Sequence, residues 1–286
     1  MEIGLVTPWD VPLGIAEYTR DLIEAIVEEV NLHVVGFDLA GGKADFDPAV
    51  TVEELGPCEL VHVQHDNDLY QDGQLEALIA ALKKAGKKTV VTAHGDPPTT
   101  AADCLIVHQI TRSIRHQNVA QMAHGFQFRM DSSTVLAPPR TVCVIGAKSN
   151  PEPIAHALDK IGGGALCIVA EWKSKEDLVR LMLNNQIVVI NYPMGTRLSL
   201  AAIMACSVAR PLLVSDSGAF THVKDFPGVA TFMGESRLAL DMDFTFANYA
   251  QAVGFSRDRI PYIEKNDLSF KAFVQRHIDL YHKILQ

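Results

Sequence analysis

The chain alternates short apolar runs of β type with amphipathic stretches of helical period. It does so twice, on either side of Ala137-Pro138-Pro139-Arg140. Strands alternating with helices imply parallel βαβ units, with helices on both faces of each sheet. In the first half, Ile3–Thr7, Leu32–Phe37, Leu60–Gln64, Thr89–Ala93 and Cys104–His108 read as strands. Ile15, Tyr18, Leu22, Ile26 and Val30 recur every three or four residues, so Ile15–Glu29 reads as a helix. Leu75–Ala85 reads as a second amphipathic helix with Lys83 and Lys84 at its end. Adjacent Pro138 and Pro139 resist both helix and sheet, which makes this point a natural linker. A second series follows, with strands at Thr141–Ile145, Ala165–Ala170, Ile187–Asn191 and Leu212–Ser215. Helices are expected between them at Pro153–Ile161, Lys175–Asn184 and Leu198–Ala209. The last segment, Ser269–Leu285, carries Phe270, Phe273, Val274, Ile278, Tyr281 and Leu285 on one helical stripe. The expectation is an α/β protein with domains at 1–137 and 138–268, and a final helix at 269–286 packing back towards the first domain. Open sheets of this kind place ligands at the carboxyl ends of their strands, and two such sheets facing each other put the site in a cleft.

Size and composition agree with two domains. The chain has 286 residues, of which 48% are hydrophobic, enough for two cores of ordinary size. The formal net charge of -9 disfavours a broad grip on nucleic acid, where affinity comes mostly from neutralising phosphates. Cys58, Cys104, Cys143, Cys167 and Cys206 form no CxxC pair and read as buried thiols of a reducing, cytoplasmic setting. No apolar run approaches the ~18–20 residues that span a membrane. The opening Met-Glu-Ile-Gly-Leu-Val has no basic region and reads as a first strand, not a signal peptide. The 11 histidines show neither HxH nor HExxH spacing, so no metal site is expected.

An ordered series of local signatures then points to a family. Pro12-Leu13-Gly14-Ile15-Ala16-Glu17-Tyr18 resembles the first βα turn of family-4-like GT-B glycosyltransferases. Val61-His62-Val63-Gln64-His65-Asp66, Val90-Val91-Thr92-Ala93-His94-Gly95 and Asp103-Cys104-Leu105-Ile106-Val107-His108 resemble three of their strand ends. Ala123-His124-Gly125-Phe126 resembles a turn of that family, and Ala209-Arg210-Pro211-Leu212-Leu213-Val214-Ser215-Asp216 a later strand with its approach. Ser269-Phe270 and Leu280-Tyr281 resemble its closing helix. The resemblance implies two Rossmann-like domains facing across a cleft, a nucleotide-sugar donor (UDP- or GDP-linked) and no permanently bound cofactor. It also implies retention of anomeric configuration and metal-independent transfer.

Carried over residue by residue, the resemblance nominates a site. Gly14 opens a helix whose first N–H groups can face the donor diphosphate. His94, ending an apolar strand, lies near the transferred sugar, and His65 and Asp66 line the same cleft. His124 and Gly125 form a mainly structural turn. Lys148, after Gly146, supplies positive charge for the leaving nucleotide. Many relatives carry two glutamates eight positions apart where this chain has Met194 and Ala202, so both carboxylates are missing. Asn191-Tyr192-Pro193 through Arg197-Leu198-Ser199 instead resembles a variant pattern. There Ser199 caps a helix and binds phosphate oxygens, Arg197 pairs with phosphate, and Leu198 lies between them. His222 stands where relatives often have a further glutamate.

The acceptor is a small molecule, a glycan or nucleic acid. The last option rests on Lys83, Lys84, Lys87, Lys88, Arg112, Arg115 and Arg129, whose plainer reading is solvated surface. A degenerate nucleotide-binding module of the same fold is the alternative to an active transferase. A Rossmann dehydrogenase is disfavoured because GxGxxG is absent after the first strand.

Overall fold

The computed structural model describes residues 1–11, 13–108, 114, 116–126, 137–146, 149–171, 173–192 and 199–286. Two compact units make up the chain: Met1–Ala123 with Lys271–Gln286, and His124–Phe270. The first unit contains β1 (Glu2–Pro8), α1 (Gly14–Ile26), β2 (Asn31–Ala40), β3 (Lys43–Asp45), α2 (Pro48–Glu54) and β4 (Leu60–His65). It continues with α3 (Gln74–Lys84), β5 (Lys88–Ala93), β6 (Cys104–Val107) and β7 (Val119–Gln121). The second contains β8 (Thr141–Ile145), α4 (Glu152–Lys160), β9 (Ala165–Val169), α5 (Lys175–Leu183), β10 (Ile187–Ile190) and α6 (Leu200–Cys206). After these come β11 (Leu212–Ser215), β12 (Val229–Phe232), α7 (Gly234–Ala247), α8 (Tyr249–Arg257) and α9 (Arg259–Lys265). The closing helix, α10 (Phe270–Leu285), belongs to the first unit from Lys271 onwards.

The first sheet runs β3-β2-β1-β4-β5-β6-β7, parallel except for the β2–β3 hairpin. Gly41 and Gly42 turn that hairpin with φ of 59° and 80°, a left-handed pair that glycine adopts without strain. Chain order reverses between β1 and β4, which is the switch point of the sheet. Alternation along the strands divides the two faces. Val61 and Val63 of β4, with Val91 and Ala93 of β5, pack with Leu75, Leu78, Ile79 and Leu82 of α3. The intervening His62, Gln64 and Thr92 are fully buried on the opposite face, where Tyr281 of α10 meets His62. Period-two alternation therefore sends polar side chains into one of the two cores.

The second sheet runs β9-β8-β10-β11-β12 and is parallel throughout. One face packs Cys143, Ile145, Val188, Ile190, Leu212 and Val214 against α5 and α6. The other packs Val142, Val144, Val189 and Leu213 against Ile154 and Leu158 of α4 and Leu238 and Met242 of α7. Helices thus cover both faces, as in a doubly wound fold. Fully buried Arg259 ties the edge together through carbonyls, with no carboxylate partner among the described residues. It donates to the carbonyls of Pro227 (2.7 Å), Val208 (3.1 Å), Arg210 (2.7 Å) and Gly228 (2.7 Å).

The division between units falls at Ala123–His124, earlier than the Pro138–Pro139 linker that the sequence suggested. Phe126 explains the shift. Its N–H donates to the Leu268 carbonyl (2.9 Å), its carbonyl accepts from Phe270 N–H (3.0 Å), and its ring lies 5.0 Å from that of Phe226. Other expected bounds contract: the first helix stops at Ile26, and the helix expected at Leu198–Ala209 spans Leu200–Cys206. The short strands β3, β7 and β12 and the helices α2, α7, α8 and α9 are additions to the sequence reading.

Candidate active site

In the second unit the switch point lies between β8 and β10. The carboxyl ends of β8, β10 and β11 are laced together by polar groups. Asn191 N–H donates to Ser149 Oγ (3.0 Å), and Asn150 N–H donates to the Asn191 carbonyl (3.0 Å). Tyr192 N–H donates to Ser215 Oγ (3.1 Å), and that hydroxyl donates in turn to the Tyr192 carbonyl (2.9 Å). Gly146, at φ 103°, lets Tyr192 sit against the end of β8, since a Cβ there would collide with the Tyr192 hydroxyl. Burial pushes the Tyr192 hydroxyl pKa up, and a hydrogen bond with Ser199 partly offsets this. Ser199 is buried and caps α6, its Oγ accepting from Ala202 N–H at 3.1 Å, as expected for a Ser in this position. Ala202 itself is buried in the first turn of α6. Lys148, Arg197 and Leu198 lie outside the described residues, as does Met194.

In the first unit β1 leads into α1, which starts at Gly14 after Leu13 with no side-chain cap. The first-turn N–H groups therefore have no acceptor within the helix. One turn on, Arg20 reaches Glu17 (2.5 Å) and Asp10 (3.5 Å), with its guanidinium 5.8 Å from the Trp9 ring centre. The ends of β4 and β5 lie side by side, with His94 N–H donating to the His65 carbonyl (2.9 Å). Asp66 is largely buried and closes an Asx-type turn, its Oδ1 accepting from Asp68 N–H at 2.9 Å. His65 is buried against Tyr70, ring centres 4.8 Å apart. Burial lowers the His65 pKa to about 4.

His94 stands in a cluster that the sequence reading did not anticipate. Its ring lies 4.8 Å from Tyr18 of α1 and 5.3 Å from His108, both edge-on or tilted. Its Nε2 is 2.7 Å from Gln64 Oε1. Gln64 Nε2 lies 3.3 Å from His62 Nε2, which is also 2.6 Å from Thr92 Oγ1. His62 Nδ1 is 2.6 Å from the Tyr281 hydroxyl of α10. His277 stacks on His62 with ring centres 5.8 Å apart. Burial, reinforced by neighbouring histidines, pushes the His62 and His94 pKa values well below the usual imidazole range. Burial takes His108 and His277 to about 4. These rings are therefore neutral at pH 7, acting as single donors and acceptors and not as cations. The pattern Val61-His62-Val63-Gln64 did carry this signal, because polar residues at alternate positions of an apolar strand must be satisfied inside the opposite core.

The remaining candidates separate. His124 is buried in the second unit, next to the Phe126 pairing. His222 lies just after the short 3-10 turn at Gly218–Phe220. Of the basic residues, Arg112, Arg115 and Arg129 lie outside the described residues. Lys87 is occupied by the carbonyls of Gly56 and Cys58 (2.7 Å to the latter). Among the described residues, no helix is long and apolar enough to cross a membrane.

No known protein-family profile and no curated protein matches the sequence. Solved structures do match over nearly the whole chain. HepE of Anabaena, crystallised with UDP and glucose, superposes with a TM-score of 0.73 at 11% identity, covering 99% of this chain and 100% of that one. A glycosyltransferase of Rickettsia africae gives 0.69 at 11% identity, covering 100% and 98%. The E. coli trehalose-6-phosphate protein bound with UDP-2-fluoro glucose gives 0.67 at 10% identity, covering 100% and 99%. Two doubly wound units of matching topology, with chain order reversing at β1/β4 and β8/β10, give this chain the GT-B fold of those glycosyltransferases.

Proposed function

We propose that the protein is a glycosyltransferase that moves a sugar from a nucleotide-sugar donor, with UDP the favoured nucleotide. The observation that carries this reading is the polar lacing of the strand ends at the β8/β10 switch, the position where open α/β sheets bind nucleotides. The three similar structures named above include two whose ligands contain UDP. In this reading the second unit holds the donor. Gly146 and Tyr192 shape the floor beneath the nucleotide, and Ser199 anchors the end of the segment that carries Arg197. Lys148 and Arg197 meet the diphosphate charge, which grows as the sugar–oxygen bond breaks. The transfer is retaining and metal-independent, with protein cations and the N–H groups at Gly14 serving the leaving group.

The first unit holds the acceptor and the reacting sugar. His94 accepts a hydrogen bond from a sugar hydroxyl, and the first-turn N–H groups of α1 are suited to phosphate oxygens. His65 and Asp66 act as supports, one packed on Tyr70 and the other closing a turn. The acceptor is a small molecule or glycan. Calorimetric titration with UDP, GDP, ADP and their glucose conjugates tests the reading. Micromolar binding of a nucleoside diphosphate, followed by slow hydrolysis of its sugar conjugate, is the expected result. A second reading, a nucleotide-binding module without transfer, is favoured by Ala202, whose buried place in α6 carries no carboxylate. Tight nucleotide binding with no hydrolysis and no transfer would select it.

A further inference from the structure

His94 is not positioned alone. We propose that Gln64 is a positioning residue that locks His94 as its Nε2–H tautomer, leaving Nδ1 as the acceptor for a substrate hydroxyl. This rests on the reading of His94 as a sugar contact, but its core is a statement about protons that can be measured without any substrate.

The argument starts from what an amide can do. Its oxygen only accepts and its nitrogen only donates. Gln64 is fully buried, so both ends must be used internally. With Oε1 2.7 Å from His94 Nε2, that nitrogen carries the proton. With Gln64 Nε2 3.3 Å and Thr92 Oγ1 2.6 Å from His62 Nε2, that nitrogen carries the lone pair, the amide and the Thr92 hydroxyl both donating towards it, and His62 Nδ1–H donates to the Tyr281 hydroxyl at 2.6 Å. Turning the amide over would reverse both assignments. The distances oppose this: 2.7 Å suits N–H···O=C and is short for N–H···N, and 3.3 Å suits the weaker N–H···N contact. Both rings are neutral, so each has one donor and one acceptor, and fixing one through Gln64 fixes the other. The chain Tyr281–His62–Gln64–His94 therefore links the closing helix α10 to the end of β5. At metal sites, partners that fix a histidine's tautomer are worth roughly 10–100-fold, and an effect of that order is expected of Gln64 on His94.

The test is side-chain NMR of the full chain with 15N-labelled histidine, with His94→Gln used to assign the signal. In the wild type, His94 is expected to show a protonated Nε2 and an unprotonated Nδ1, and His62 the opposite pair. Gln64→Glu removes the donor end, so His62 should flip to Nε2–H, and the new carboxylate should raise the pH at which His94 titrates. Gln64→Leu should leave His94 a mixture of tautomers. If the enzyme is active, kcat should fall 10–100-fold in Gln64→Leu with the donor KM changed less than about threefold. A wild-type His94 bearing its proton on Nδ1 overturns the proposal, as does a His62 tautomer indifferent to Gln64→Glu. That readout needs no folded Gln64→Leu protein. The predicted tautomers in a protein that transfers no sugar would overturn the transferase reading and leave the relay standing.

Discussion

Acid should open the first unit through its buried histidines. Burial holds His65, His108 and His277 near pKa 4, against about 6.5 in an unfolded chain. His62 and His94 are depressed in the same direction. Between those values the unfolded state binds protons that the folded state refuses, so stability is whole above about pH 6.5 and is lost as pH falls towards 4. At pH 5 one such histidine costs about 2 kcal/mol, from 1.4 kcal/mol per pH unit over the 1.5 units below its unfolded pKa. Three cost about 6 kcal/mol, comparable to the whole stability of an ordinary domain, roughly 5–15 kcal/mol. Hydrogen exchange read on β4, β5, β6 and α10 between pH 7.5 and 5 measures this. The opening free energy should fall by several kcal/mol, and His277→Gln should flatten the slope near pH 5 by about one proton. An opening free energy that changes by less than about 1 kcal/mol over that range would refute the reasoning.

Three further outcomes are expected. Arg259→Met removes the guanidinium that bridges the carbonyls of Pro227, Ala205, Val208, Arg210 and Gly228, of which Val208 and Gly228 keep a backbone N–H donor, so it should destabilise the second unit by about 3 kcal/mol and lower its Tm by roughly 6–12 °C; calorimetry checks it, and a shift under 2 °C would speak against the clamp. Gly146→Ala drives a Cβ into the Tyr192 hydroxyl at a φ of 103°, so UDP affinity should fall at least about tenfold by titration, with a stability loss of about 1–3 kcal/mol. His94→Ala should reduce transfer or donor hydrolysis about a hundredfold or more while leaving UDP affinity within about threefold, because the proposal assigns the nucleotide to the second unit; an equal loss of both would contradict that division of labour.

Much of the fold was written in the sequence as period. Val61–His65 alternates an apolar face with a polar one, Val142–Ile145 is apolar on both faces, and the Leu75–Lys84 stretch keeps one helical stripe, so local pattern and tertiary packing agree there. The short helix α2 also had its signal, since Asp47-Pro48 is a side-chain cap followed by proline at the helix start. Between Asp216 and Ser269 the pattern is weak. Leu240 and Phe244 of α7 stay exposed, so that helix shows no clean stripe to read. The site divides along the same line. The places of the candidates His94, Gly14 and Ser199 at strand and helix ends were legible, because Gly and polar residues there interrupt the apolar period. His62 and Gln64 were legible only as polar residues due for burial behind the sheet; their partner Tyr281 was not, because it sits on a helix returning from more than 200 positions away, a contact that no local pattern encodes.

Titration of the protein with UDP, GDP and UDP-glucose, with backbone NMR shifts followed at Gly146, Ser149, Asn191 and Tyr192, tests the central claim most directly. The account predicts saturable binding of UDP and UDP-glucose that moves these four signals first, with GDP weaker. No heat and no shift with any of the three, at millimolar ligand, would contradict it.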